Sequence, residues 1–416
     1  MNMLMYAVAF LTLLVPGFLL LANAGAAQEP AENGEEPVLS GEDFIAVKNP
    51  VRLPPRLAAE RIPLGLPGDY KPSIALLKSG EVLVVAHELV QEPFRERLIT
   101  FRSLDGGRTW SPREVHSEVF GREFFLTVLS DGTLLMTNHI LPQDANNEEL
   151  NAAQKGYWYS HIRRSTDEGH TWQTHRIGKE DGFPPNGKGT ATDRRAVELP
   201  DGTVLLGVST GMDDGMKTYM WRSEDHGRTW DKSTECDIMG WRDVDGFFSN
   251  SETFRLPSGK LLHINRVESH RHPIEAQAGS KPAPGWDQTD RSILWESTDN
   301  GATWRKVQDM GDYGEMYPQL LRLADGRILY NFTVRALKYP LGIQAIINYD
   351  EGQTWDFEHD RIIVESRTPE GKASGGGYGN TIQLADGMLL TAYSYRGEDN
   401  ATHLEVVRWQ LPDAEQ

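Results

Sequence analysis

The chain has a single cysteine, Cys236, in 416 residues. No intramolecular disulfide can form, so a small disulfide-stapled scaffold is excluded. Positive charge is scarce: 42 Lys and Arg stand against 60 Asp and Glu, a formal net charge of −18. That balance disfavours nucleic acid and anionic membrane as partners. It leaves room for an anionic substrate in a local basic pocket. Long helical periodicity is scarce as well, which points away from helical architectures. His87, His139, His161, His263, His270 and His272 show no recurring tight spacing with each other or with carboxylates, so no metal site is expected and no cofactor is implied. Long apolar runs are missing except at Met3 to Leu21, which is followed by the small-x-small pattern Ala22-Asn23-Ala24. Residues 1–24 read as an export signal, with a retained anchor helix as the rival reading. Residues 25–40 read as an acidic linker. A secreted or periplasmic bacterial protein is expected, with one domain over 41–416.

What is present is repetition. Ser103 to Trp110, Ser165 to Trp172, Ser223 to Trp230 and Ser297 to Trp304 all read Ser-x-Asp-x-Gly-x-Thr-Trp. A worn copy, Asn348 to Trp355, keeps Asp350, Gly352, Thr354 and Trp355. Asp and Gly build a tight turn, Ser and Thr tie its backbone, and Trp packs on the neighbouring hairpin. A second repeat runs out of phase: apolar stretch, Gly turn, apolar stretch. Its turns are Ser79-Gly80, Asp131-Gly132, Asp201-Gly202, Ser258-Gly259, Asp325-Gly326 and Asp386-Gly387. Such turns between apolar runs signal hairpins. Hairpin plus signature turn makes four strands per unit, and six units make an all-β, six-bladed β-propeller. The last unit lacks one strand. The segment Phe44 to Val47 is expected to supply it and to close the ring, since unclosed blades expose strand edges.

The hairpin glycine locates the inner ring. Nine residues before it stand Lys71, Glu123, Asp193, Asn250, Tyr317 and Tyr378; seven before stand Ser73, Phe125, Arg195, Glu252, Gln319 and Asn380. Seven after come His87, His139, Ser209, Arg266, Thr333 and Ser394. Strand side chains alternate, so the first two rows point the same way. Apolar residues fill the middle of the hairpins and ionisable ones collect at one end, where burial would make unpaired charge costly. The insert Tyr157-Trp158-Tyr159 is expected to pack rather than bind sugar, and the long insert Glu268 to Arg291 to overhang the site.

These turns, hairpins and polar ends resemble the sialidase superfamily over about Tyr70 to Leu411. The resemblance implies a glycan substrate, a terminal acidic sugar, and retention through a tyrosyl-enzyme intermediate. It assigns Tyr378 as nucleophile and Glu252 as its base. It gives Arg266 and Arg335, with Lys338 as the next candidate, to the substrate carboxylate. Lys71 stands where sialidases have the first arginine of that triad, and a lysine offers a point charge in place of a planar fork. An Arg61-Ile62-Pro63 of sialidase type lies too far upstream of Gly80 and reads as a chance match. The proton donor belongs in the first insert, where Glu92 and then Glu88 are the candidates. Arg195, Tyr317, Asp193 and His139 complete the expected substrate contacts. The alternative is a carbohydrate-binding or lyase-type propeller. A lyase needs a proton-abstracting group beside a charge-neutralising one, and His139 with Tyr317 could provide them.

Overall fold

The computed structural model describes residues 36–146, 159–178, 181, 189–212, 215–236, 246–269, 291–335, 340–370 and 376–413. The expected signal over 1–24 lies outside them. Ser40, the last residue of the expected linker, is already tied down: its amide donates to Ser366 Oγ at 3.1 Å.

Among the described residues there is no α-helix, and every sheet is antiparallel. The chain opens with β1 (Phe44–Lys48) and β2 (Arg56–Leu64). One four-stranded sheet follows, from β3 (Tyr70–Leu76), β4 (Val82–Val90), β5 (Arg95–Ser103) and β6 (Glu114–Phe120). The next holds β7 (Arg122–Val128), β8 (Leu134–Ile140), β9 (Tyr159–Ser165) and β10 (Gln173–Ile177). The third has its inner strand split into β11 (Gly189–Thr192) and β12 (Val197–Glu198), both paired with β13 (Val204–Met212), then β14 (Gly215–Ser223) and β15 (Glu235–Cys236). The fourth is β16 (Gly246–Arg255), β17 (Leu261–Ser269), β18 (Arg291–Ser297) and β19 (Arg305–Met310). β20 (Glu315–Arg322), β21 (Ile328–Val334), β22 (Gly342–Asn348) and β23 (Arg361–Ile363) form a run of four. β24 (Gly379–Gln383), β25 (Leu389–Arg396) and β26 (Thr402–Trp409) form another with β2, and β1 joins the two runs into a nine-stranded sheet.

The signature turns are built as their residues dictate. In the third, Ser223 Oγ donates to Asp225 Oδ1 at 2.9 Å, and the other Asp225 oxygen accepts from Thr229 Oγ1 at 2.7 Å. Each turn glycine then presses on the preceding sheet: Gly169 against Leu83, Gly227 against Leu135, Gly301 against Met220, Gly352 against Leu262. The first turn presses on the last sheet, Gly107 against Leu390. The sheets therefore pack in a closed cycle, and the turns are the inter-sheet joints.

Closure differs from expectation in one respect. Phe44 to Val47 pairs, but on β23 and β2. The strand that completes the last run is β2, along β26 from Ala59↔Trp409 to Leu64↔Leu404. A nine-residue strand covers that edge better than the five residues of β1. Arg61 thus serves closure: it donates to Gly41 O, Val364 O and Tyr393 Oη. Tyr393 and Arg367 both bond Glu405 in the same buried cluster. Glu365 beside them is fully buried, and its Oε2 has no hydrogen-bond partner. Burial pushes its carboxyl from 4.5 up to about 7, against Arg367 and Arg61.

A raised acid pKa makes the folded state favour the neutral form. The Glu365 contribution is therefore complete below about 4.5 and is lost as pH rises through about 7. The penalty above that pH is at most roughly 3 kcal/mol. Glu365→Gln should unfold at higher temperature than the wild type at pH 8 and show a flatter melting profile between pH 4.5 and 8. Identical pH profiles for the two proteins would contradict this.

Candidate active site

A shared irregularity aims the inner strands at the axis. The β3/β4 ladder slips between Tyr70 and Ser73, the β7/β8 ladder between Arg122 and Phe125, and the β20/β21 ladder between Met316 and Gln319. The residues held in these bulges, Lys71, Glu123 and Tyr317, have φ of 52°, 56° and 58°. Left-handed backbone at a non-glycine residue costs on the order of 1–3 kcal/mol and collects where function re-aims a side chain. All three belong to the row nine residues before the hairpin glycine. Tyr378, in the same row, is flanked by two glycines. A Cβ on Gly377 would meet Thr333 Cγ2 at 2.4 Å, and one on Gly379 would meet Ala392 O at 1.9 Å.

These side chains meet. Tyr378 is 1% exposed, and its hydroxyl donates to Glu123 Oε1 at 3.0 Å. The same oxygen pairs with Lys71, whose Nζ lies 4.1 Å from the Tyr378 ring centroid. His139 Nε2 stands 3.5 Å from Glu123 Oε2. Tyr317 packs on Tyr378 with centroids 4.1 Å apart. The Tyr317 hydroxyl accepts from Arg266 at 2.7 Å and from Arg335 at 3.3 Å, and Arg335 also donates to Tyr70 Oη at 3.0 Å. A small cleft opens beside them, lined by Glu123, Phe125, His139, Thr192, Asp193 and Arg194 among others.

The expected set does not all converge. Tyr378 bonds Glu123, whereas Glu252 accepts from Arg195 and from the Leu320 amide at 2.9 Å. Glu252 and Arg195 thus neutralise each other and clamp the third and fourth sheets to β20. Asp193 lines the cleft, but its carboxylate is taken by Ser251 Oγ and Thr253 Oγ1 at 2.6 and 2.7 Å. Glu88 is held by Arg113 and Arg97. Glu92 is exposed. Lys338, Tyr157 and Trp158 lie outside the described residues, as does nearly all of the insert 268–291. Tyr159 is buried under Arg176, in keeping with a packing role.

Four charged residues were not assigned roles from the sequence, among them Arg122, whose Nε lies 3.9 Å from Glu123 Oε1. Glu123 stood in the inner row, unpaired with Tyr378. Arg194 falls eight residues before Gly202, a position that strand alternation sends outward. The break between β11 and β12 suspends that alternation, and Arg194 is only 2% exposed, its guanidinium 4.5 Å from the Phe125 centroid. Glu96, the second residue of β5, lies at the end of the first insert and is buried 3.5 Å from both Arg122 Nε and His87 Nε2.

Charge sets the proton affinities. Burial alone would raise the Glu123 carboxyl, but Lys71, His139 and Arg122 outweigh it and hold it well below the usual range. Burial pulls the Lys71 ammonium down to about 7, with Arg122 and Arg335 assisting and Glu123 opposing. Burial lowers His139 to about 4, leaving a neutral imidazole. Burial raises the Glu96 carboxyl, with Glu123 and Asp144 adding to it and Arg122 and Lys71 opposing. Burial, then Glu123, then Tyr317 push the Tyr378 phenol well above its ordinary value.

Residues 71–330 match the family model described as a BNR repeat-like domain. The chain belongs to the BNR repeat-like family. No curated protein matches it. Among solved structures it is similar to a Dyadobacter fermentans protein of unknown function, at 19% identity and TM-score 0.62, over 90% of this chain and 97% of that one. It is similar to a Trypanosoma rangeli sialidase bound to 2,3-difluorosialic acid, at 15% and 0.51, over 84% and 58%. It is similar to a Penicillium chrysogenum alpha-L-arabinanase complexed with arabinobiose, at 15% and 0.54, over 89% and 98%. At these identities the likeness is one of fold: this BNR-family chain has a glycosidase-like, propeller-like scaffold.

Lys71 gives a direct check on the electrostatics. Side-chain nitrogen NMR should titrate it near pH 7, and Glu123→Gln should move the midpoint lower, because the carboxylate that raises it is gone. A midpoint above 10 would contradict the arrangement.

Proposed function

We propose that this BNR-family chain is an exported glycoside hydrolase that releases a terminal acidic sugar with retention of configuration. The observation that carries the reading is the buried hydrogen bond from the Tyr378 hydroxyl to the Glu123 carboxylate, set among cations. Lys71, Arg122, Arg194, Arg266 and Arg335 lie around it, against Glu123, Glu96 and Asp193. A protein of net charge −18 that gathers this surplus in one place is suited to bind an anion there. The nine-stranded sheet is taken as two blades, which makes the scaffold six-bladed.

A neutral phenol, with pKa about 10, is a weak nucleophile and needs an adjacent base. Here that base is Glu123 rather than Glu252. Tyr378 Oη attacks the anomeric carbon while its proton passes to Glu123. Because Glu123 is a weak base, the transfer proceeds in step with C–O bond formation. Arg266 and Arg335 hold the sugar carboxylate, and Lys71, paired with Glu123, adds positive charge beside it. Glu96, the one buried carboxyl of the first insert with a raised proton affinity, protonates the departing oxygen in place of Glu92 or Glu88. Water, deprotonated by Glu96, then displaces Tyr378, which recovers its proton from Glu123. Two inversions give retention, and a tyrosine nucleophile is the known exception to the two-carboxylate scheme.

Product analysis by mass spectrometry on a panel of acidic glycans tests this. Addition of water marks a hydrolase, an unsaturated product a lyase, and no product a binding protein. Tyr378→Phe should abolish turnover, by at least about a thousandfold, while acidic sugars still bind. Near-normal turnover in that variant would overturn the assignment.

A further inference from the structure

The proposed chemistry leaves Arg194, a buried cation, without a task. Arg194 Nη1 reaches the carbonyls of Tyr317 and Pro318 at 3.3 and 3.5 Å. Its Nε and Nη2 are buried with no hydrogen-bond partner. No carboxylate forms an ion pair with it among the described residues. Its Cζ lies 4.5, 5.1 and 5.2 Å from the ring centroids of Phe125, Tyr317 and Tyr378. A desolvated guanidinium without a counter-ion is costly, and ring faces offset only part of that cost.

We infer that Arg194 is a positioning residue whose uncompensated charge stabilises the phenolate that develops on Tyr378. The inference rests on Tyr378 being the nucleophile. The groups that face Tyr378 explain why a further cation is needed. From β7, Glu123 opposes phenolate formation, and Tyr317 from β20 does too. Lys71 from β3 is committed to Glu123. Arg266 and Arg335 share the Tyr317 hydroxyl and, in the proposed reaction, the substrate carboxylate. Tyr70 from β3 is bonded by Arg335, and Arg122 from β7 is paired with Glu96 and Glu123. Arg194 alone in this set combines a charge with no assigned anion and a place about 5 Å from the reacting ring, where burial keeps solvent from screening it. As negative charge grows on the phenol oxygen during proton transfer to Glu123, this cation gains an interaction that the neutral phenol does not offer, which is the condition for accelerating the step.

The test reads the phenol itself. Tyr378 is replaced by 3-nitrotyrosine, whose ionisation is visible by absorbance and falls in an accessible pH range. The midpoint is followed in the otherwise wild-type chain, in Arg194→Lys and in Arg194→Met. Arg194→Met should raise the midpoint by roughly one to two pH units. Arg194→Lys should raise it by less, since it keeps a charge. With natural Tyr378, Arg194→Met should lower kcat more than tenfold with KM little changed, and Arg194→Lys should recover part of the loss. Equal midpoints in all three chains would overturn the inference, as would equal shifts in both variants, which would mark a packing role. The readout does not need turnover. If Tyr378→Phe remains active, the nucleophile assignment fails, whereas a flat nitrotyrosine titration sinks only the role of Arg194.

Discussion

The arrangement depends on one buried carboxylate. Glu123 takes both the Lys71 ammonium and the Tyr378 hydroxyl on the same oxygen, with His139 on the other. Removing one partner of such a pair leaves an uncompensated buried charge, which costs about 3–5 kcal/mol. Three elements from three places in the chain, β3, β7 and the approach to β24, must therefore arrive together. The strained bulges at Lys71 and Glu123 and the two glycines around Tyr378 are the backbone's concession to that meeting. The cyclic packing of the signature turns makes the concession tolerable, because every sheet is fixed by its neighbour.

Much of this was legible in the residues. The turn signature and the Asp-Gly hairpins encode local physics, and local physics survives reading along a line. The row nine residues before each hairpin glycine was legible for the same reason, and it contains Lys71, Glu123, Tyr317 and Tyr378. What was not legible is pairing across sheets. Glu252 sits in the companion row, seven residues before its hairpin glycine, as a plausible base, yet Arg195 and the Leu320 amide claim it. Arg194 was hidden because the inner strand of the third sheet breaks after Thr192, and the alternation rule fails across a break. Glu96 was passed over for Glu92 and Glu88 because sequence cannot tell which carboxylate of an insert turns inward. Closure by β2 rather than by Phe44 to Val47 is a question of which of two neighbouring strands pairs with β26, and only the ladder answers it.

The BNR repeat-like scaffold accounts for the ring and its joints, and fold-level likeness at 15–19% identity carries no more than that. Chemistry has to be argued from the site. There, a tyrosine beside a carboxylate suits an anionic sugar, since a carboxylate nucleophile would be repelled by the sugar's own charge. The surplus of cations is the ground on which an acidic sugar is proposed, and it makes the proposal vulnerable to a direct test.

That test is covalent trapping. Incubation with 2,3-difluorosialic acid, followed by intact-mass measurement and peptide mapping, should show one fluorosialyl adduct on Tyr378, absent in Tyr378→Phe. An adduct on Glu123 or another residue, or water incorporation with inverted configuration and no adduct, would contradict the account.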